Sequence, residues 1–352
     1  MTAALDLRIT RASSSRVSSV DFTNLPFSTV FSDHMVVAEY RGGQWQNAEI
    51  RPYGPLALPA NISALQYGLS VFEGLKAHRS PAGRVLVFRP WENARRLNRS
   101  AQRLAMPEVP EAMFLECLRT LVKLDADWVP PAGAGALYLR PCLFSVDPSM
   151  RVKAAEEFLF AIVASPFASY YAQSIDALVA HRYVRAFPGG TGDVKPAGNY
   201  APTMLPDREA QAEGFGTVLW LDGLEHRYVE ECGAMNIFFV AGDRVLTPAL
   251  SGTILAGVTR DSALQILRDS GYAVEERAIA IDEVVRWHER GLLRESFGTG
   301  TAATVTPLGR IRCAGVDLVL PESRELATAV RERLVSIMTG VMPDPYGWID
   351  VI

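Results

Sequence analysis

Twenty-seven glycines and 22 prolines recur between short periodic segments along the whole chain, and no internal repeat or low-complexity tract organises them. Punctuation of this kind marks off short periodic segments, each to be read as a separate element. At roughly 150 residues per domain, 352 residues are expected to form two domains, each long enough to bury a core. The longest apolar stretch, Phe158 to Ala172, contains Ser165, Pro166 and Ser169 and is too short to span a bilayer. A net charge of −4 gives no electrostatic reason to expect nucleic acid or an acidic membrane as a partner. Cys117, Cys142, Cys232 and Cys313 lie far apart, with no CxxC pair and no histidine at ligand spacing. That pattern argues against a disulfide framework or a metal site, and for a soluble protein of a reducing compartment, the cytoplasm.

Between the breakers, the elements alternate irregularly. Val85 to Phe88 reads as a strand. Pro90 then opens a helix with Ala94, Leu97, Ala101 and Leu104 on one face, ending before Pro107. A second helix spans Glu111 to Lys123, followed by strands at Ala136 to Phe144 and Glu157 to Ala164. This mixture without strict alternation suggests an α+β fold. The run SPFASYYAQS, from Ser165 to Ser174, interrupts the pattern and is the expected interdomain linker. A β-richer region follows, with strands at Thr217 to Asp222, Asn236 to Val240 and Arg244 to Thr247. Helices are expected at Val258 to Asp269, Ile281 to Glu289 and Pro321 to Thr339, closed by Gly271, Gly291 and Gly340.

Several segments carry chemistry. In GGTGDVKPAGNY, residues 189 to 200, Lys195 sits among glycines that allow close backbone approach. It reads either as a solvated loop lysine or as a desolvated amine able to form a Schiff base with an aldehyde. In EECGAMN, residues 230 to 236, Glu230 and Glu231 enter an apolar strand; either they face solvent or one meets a cation. FGTGTAA, residues 297 to 303, satisfies GxGxxA, but Pro307 stands where a dinucleotide-binding helix would run. It is left as a plain turn or a cup for a lone phosphate, as is the helix start at Val258 and Thr259. Five arginines crowd residues 89 to 103, and one could meet a phosphate through its guanidinium fork. Tyr138 and Arg140 share a strand face and suit either a substrate carboxylate or core packing. The five histidines lie near no Ser or Cys motif of a hydrolase and are read as structural.

Taken together, FSDHM, LQYGLSVFEGLKA, FRPWENARRLNRSAQRL, LYLRP, GDVKPAGNY, VLWLDG, EECGAMNIFF, LSGTILAGVTRDS and FGTGTAATVTP follow one another in an order that resembles the branched-chain amino acid aminotransferases. These are fold type IV enzymes that use pyridoxal 5′-phosphate, and the likeness runs from about Phe31 to Trp348. It implies a two-domain α+β fold, with a smaller N-terminal α/β domain and a larger β-rich C-terminal domain that binds the cofactor. The expected division is a flexible extension at 1–25, a small domain at 26–165, an interdomain loop at 166–175 and a large domain at 176–352.

Carried over by position, the resemblance implies that Lys195 forms the Schiff base and shuttles the α-proton, and that Glu231 pairs with the pyridine nitrogen. Arg96, Leu255, Val258, Thr259 and Thr301 would hold the cofactor and its phosphate, and Tyr200 its ring hydroxyl. Tyr67, Phe72, Tyr138, Arg140 and Ala234 would line the substrate pocket, Thr301 and Ala302 would receive the α-carboxylate, and Tyr170 would sit in the interdomain loop. The activity implied is transfer of the amino group of Leu, Ile or Val to 2-oxoglutarate by a homodimer. Alternatives within the fold are a D-amino acid or amine aminotransferase, an aminodeoxychorismate lyase, or a specialised-metabolism aminotransferase with altered substrate; from a different class come a non-catalytic cofactor-binding regulator that keeps the fold and, on GxGxxA alone, a nucleotide-binding protein. Ala303 and Thr306 replace the redox-sensing CxxC of some members, and Ala234 replaces a pocket threonine.

Overall fold

A computed structural model describes residues 7–23, 25–46, 48–168 and 174–352. Two compact units emerge. The first takes in the chain up to Tyr170 together with Lys195–Gly198 and Ser336–Ile352; the second takes in Tyr171–Val194 and Asn199–Val335. The first unit is therefore the larger of the two, contrary to the expected sizes. The physical reason is the chain's return, because strand Ile349–Val351 pairs antiparallel with Val85–Phe88.

In the first unit the strands are β1 (Arg8–Ile9), β2 (His34–Arg41), β3 (Gln44–Trp45), β4 (Glu49–Pro52), β5 (Ser70–Phe72), β6 (Leu75–Arg79), β7 (Val85–Phe88), β8 (Ala136–Ser145) and β9 (Phe158–Phe167). The sheet runs β1-β4-β2-β9-β8-β6-β7 and ends on Ile349–Val351, with β3 and β5 on side branches. Helices α1 (Ser63–Tyr67), α2 (Pro90–Arg103) and α3 (Glu111–Leu124) complete the unit. The apolar face of α2, with Ala94, Leu97 and Ala101, joins Phe114, Leu118 and Leu121 of α3 in a core with Phe158 and Phe160. Proline at the start of α2 suits a position whose N–H has no helical acceptor.

Two expectations are corrected here. The extension is tied down from Arg8 onward: β1 pairs parallel with β4, and Asp33 accepts from Ser15, Arg16 and Trp128. The linker does not begin at Ser165, since β9 continues through Phe167, pairing Ser165 with Tyr138 and Pro166 with Leu137. Of the remaining loop, Ser169, Tyr170, Tyr171, Ala172 and Gln173 lie outside the described residues.

The second unit holds α4 (Met204–Ala212), α5 (Val258–Asp269), α6 (Ile281–Glu289) and strands β10 (Ile175–Val179), β11 (Thr217–Leu221), β12 (Val229–Cys232), β13 (Met235–Ala241), β14 (Arg244–Thr247), β15 (Ala273–Glu276), β16 (Leu293–Gly300), β17 (Thr304–Cys313) and β18 (Val316–Val319). Their sheet order is β12-β11-β10-β17-β16-β13-β14-β15, with β18 on β17. Phe297 to Gly300 of the FGTGTAA run belong to β16, and β17 follows after a turn, its first residue, Thr304, taking φ +59°. A hairpin, not a helix start, therefore accommodates Pro307. The last helix, α7 (Glu325–Met338), starts four residues later than Pro321.

Candidate active site

Sheet register in the second unit brings three side chains into one row. Glu231 of β12 stands opposite Asn236 of β13, which stands opposite Thr299 of β16, and directly paired residues share a sheet face. Glu231 is buried; it is not solvated at the strand mouth. Its Oε1 accepts from the Leu255 amide at 2.8 Å, while Asn236 Nδ2 donates to the Leu255 carbonyl at 2.9 Å. The N–H and the C=O of one residue, on successive peptides, are thus both held. This fixes the approach to α5, where Gly257 is the N-cap and no side chain caps the helix. A Cβ on Gly257 would collide with Asn236 Oδ1, so only glycine fits. Backbone N–H groups of Val258 and Thr259 in the first turn form the kind of end that accepts an anion.

Arg185 supplies the cation that the buried carboxylate requires: its Nε lies 3.1 Å from Glu231 Oε2. Its Nη2 also donates to the carbonyls of Gly192, at 2.8 Å, and Thr253, at 2.5 Å. One guanidinium therefore fixes Glu231 and the glycine-rich loop together. Asn199 holds the same loop, exchanging hydrogen bonds with Thr191 and donating to Val194 at 3.1 Å. Tyr200 follows Asn199 and is half-buried. Thr301 and Ala302 occupy the β16–β17 turn, and Ala234 lies exposed in the β12–β13 turn.

Lys195 belongs to the first unit, held by its backbone. Its N–H donates to Ser100 Oγ at 3.0 Å, its carbonyl accepts from Phe72 at 3.2 Å, and Val71 bridges Pro196. The ammonium lies 4.9 Å from the Phe72 ring centroid. Arg140 stacks over the same ring at 4.7 Å, and its Nη2 donates to Tyr138 Oη at 3.1 Å. Phe72, Tyr138, Arg140 and Lys195 are thus brought together. Gly74 must be glycine there, since a Cβ would collide with the Tyr138 hydroxyl. Tyr67 makes its hydrogen bond outside that group, to the Met150 carbonyl at 2.5 Å.

Arg96 is buried, and its Nε and Nη2 donate to the two oxygens of Glu73 at 2.7 and 2.8 Å. Two of the guanidinium's donors are thereby committed to a carboxylate of the protein. Burial alone would raise the pKa of Glu73, but Arg96, with the charge of Lys195 and a hydrogen bond from Asn93, holds it below the usual carboxylate value. Glu73, Asn93, Arg185 and Asn236 escape sequence reasoning. Glu73 alone leaves a trace, as an acid inside the apolar run VFEGL.

The donor set fits pyridoxal phosphate. It offers an anionic carboxylate for a pyridinium and an uncapped helix end for a phosphate. Two buried polar atoms, Thr299 Oγ1 and Arg140 Nε, have no hydrogen-bond partner among the described residues. Among the described residues no His, Cys, Asp or Glu cluster could hold a metal.

Known proteins agree with this chemistry. The sequence model of amino-transferase class IV matches residues 70–311. Branched-chain-amino-acid transaminase 1 of Bacillus subtilis is 45% identical over 335 residues, covering 93% of this chain and 94% of its own. The branched-chain-amino-acid aminotransferase of Mycolicibacterium smegmatis is 43% identical, covering 93% and 92%. A branched-chain aminotransferase of Thermoproteus uzoniensis, solved with norvaline, shares the fold at TM-score 0.76 and 24% identity, covering 90% of this chain and 99% of that one. A T.th. branched-chain amino acid aminotransferase, solved with N-(5′-phosphopyridoxyl)-L-glutamate, superposes at TM-score 0.73 with 26% identity, covering 89% and 97%. The chain belongs to the class IV aminotransferases, which depend on pyridoxal phosphate, and within them to the branched-chain-amino-acid aminotransferase family.

Proposed function

We propose that the enzyme moves the amino group of Leu, Ile or Val to 2-oxoglutarate, and back, in two half-reactions, with Lys195 as its covalent and proton-carrying residue. The observation that carries this reading is the buried Glu231 carboxylate, held anionic by Arg185 on a sheet face shared with Asn236 and Thr299. Pyridoxal phosphate, when bound, supplies an electron sink for bond breaking at the amino acid's α-carbon. Glu231 keeps a proton on the pyridine nitrogen. Val258, Thr259, Thr301 and Arg96 hold the phosphate, Leu255 orients Glu231, and Tyr200 meets the ring hydroxyl. Lys195 Nζ would take the α-proton and give it back on the far side of the transferred nitrogen.

Substrate preference follows from the side chains beside Lys195. Phe72 and Tyr138 offer an apolar wall that suits a branched aliphatic side chain. The unpartnered Nε of Arg140 offers the second carboxylate of 2-oxoglutarate a charged contact, while Thr301 and Ala302 receive the α-carboxylate. Ala234 removes a hydroxyl and leaves room. Tyr170 is assigned to the substrate side through the resemblance alone. Stopped-flow absorbance should show Leu, Ile and Val each converting the pyridoxal form faster than D-alanine or aspartate does. A response to D-amino acids with none to branched L-amino acids would overturn the reading.

Assembly as a homodimer belongs to the same proposal. Tyr67 is 48% exposed beside Met150, which is 74% exposed, and Leu65 and Val152 add to the exposed apolar surface of the first unit. An obligate interface covering them would bury more than about 2,000 Å². Sedimentation showing a fully active monomer would refute it. The four free thiols fit a cytoplasmic location.

A further inference from the structure

Glu230 and Glu231 are consecutive on β12, so their side chains leave opposite faces of the strand. Glu231 belongs to the row described above. Glu230 lines a separate cavity of about 250 Å³ within the second unit, several times the ~30 Å³ share of one water. The residue is 4% exposed. Thr253 Oγ1 donates to its Oε1, but its buried Oε2 has no hydrogen-bond partner among the described residues. An unsatisfied buried oxygen of this kind is costly unless something donates to it.

The cavity has a definite chemical character. Its walls carry three carboxyl groups, those of Glu230, Asp222 and Glu225, and no lysine, arginine or histidine. Asp222 stays ionised, since four backbone amides offset the burial that would raise its pKa. Arg185 is the cation whose charge reaches Glu230, but its donors go to Glu231, Gly192 and Thr253. Most of the remaining lining is apolar, including Pro248, Ile254 and Val229.

We propose that this cavity binds a small alkylammonium ion, whose N–H meets Glu230 Oε2 and whose short apolar body lies against Pro248 and Ile254. A free amino acid is disfavoured, because its carboxylate would enter an acidic cavity with no cation to receive it. The site is distinct from the one assigned to transamination and does not rest on that assignment.

The probe is N,N-dimethylisobutylamine, a tertiary amine that carries one N–H when protonated and cannot condense with an aldehyde. Calorimetry and ligand-observed NMR on the holoenzyme near neutral pH should show one site per chain, with leucine binding there at least tenfold more weakly. Glu230→Gln should weaken amine binding at least tenfold. Ala249→Phe, which fills the cavity and leaves Glu230 untouched, should abolish it and decides the matter if the first variant does not fold. Failure of the wild type to bind the amine, or equal binding by wild type and either folded variant, would overturn the proposal. So would equal binding of leucine at the same site.

Discussion

Each unit buries a glutamate against an arginine, and the two pairs are built differently. Glu73 and Arg96 meet in a two-pronged fork at 2.7 and 2.8 Å, and Asn93 Nδ2 donates to the same carboxylate at 2.8 Å. Glu231 and Arg185 meet at one off-axis contact of 3.1 Å, and that arginine divides itself among a carboxylate and two carbonyls. A fork braced by a further side-chain donor is a fixed part of a core. The Glu231 carboxylate instead takes a guanidinium nitrogen on one oxygen and the Leu255 amide and Asn236 Nδ2 on the other, from three separate segments of the chain. The first pair therefore ought to govern folding, and the second chemistry.

Lys195→Ala gives the largest expected effect. Its charge helps to keep Glu73 ionised, but Arg96 supplies more of that stabilisation, so the fold should survive. Turnover should fall by at least the ~10²–10⁴-fold that a positioned acid–base group provides. Borohydride should fix cofactor at Lys195 of the wild type, located by peptide mass. A label on Lys76, Lys123 or Lys153, or normal turnover in the variant, would remove Lys195 from its role.

Next come the two glutamates themselves. Glu231→Gln keeps an acceptor for the Leu255 amide, and Arg185 keeps its two carbonyls, so the expected loss lies foremost in rate, about 10²–10³-fold, with a loss of stability smaller than that at Glu73. Glu73→Gln leaves Arg96 buried without a counter-charge and should cost about 3–5 kcal/mol. Urea denaturation can separate the units, because Trp45, Trp91, Trp128 and Trp348 report the first and Trp220 and Trp287 the second. If the two substitutions exchanged effects, the contrast between the pairs would be wrong.

Arg185→Lys is a milder test. A lysine preserves the charge beside Glu231 but cannot reach the carboxylate and two carbonyls with a planar fork. The expected outcome is a fall in kcat of about tenfold, or ~1.4 kcal/mol, with a shifted cofactor absorbance maximum. Unchanged kcat with an unchanged spectrum would reduce Arg185 to loop packing.

The contrast between the pairs was only half legible in the sequence. Periodicity locates α2, α5 and α6 because each sets an apolar stripe between proline or glycine stops, and the α+β class follows from their irregular alternation with strands. β2, with the mixed run HMVVAEYR, and the β16–β17 hairpin, rich in Gly and Thr, have no such stripe and are known only through their partners. The same holds for the candidate site. Glu231 and Lys195 stand out because a charge occurs where apolar residues or glycines surround it. Arg185 and Asn236 stand 46 residues before Glu231 and five after it, and only strand pairing and loop return bring them to it.

Acid should distinguish the units by the smallest of these effects. His78 of β6 is buried, and burial first, then the charge of Lys76, lowers its pKa from 6.5 to about 3. Between those values the folded state keeps His78 neutral while the unfolded chain takes up a proton. Stability therefore falls as pH drops below 6.5, by up to about 1.4 kcal/mol per pH unit. Glu73, whose pKa is lowered, contributes stability that is present above its unfolded value and lost only in stronger acid. In the second unit Glu230 works in the opposite sense: burial raises its pKa, so its contribution is present below its unfolded value and lost as pH rises through its folded one. Hydrogen exchange should accordingly show β6, β7 and β8 losing about 1–2 kcal/mol of protection between pH 6.5 and 5, with β11 to β13 losing none. His78→Gln should remove that slope. A variant that keeps it, or equal loss of protection in β11 to β13, would mean that His78 does not set the acid sensitivity of the first unit.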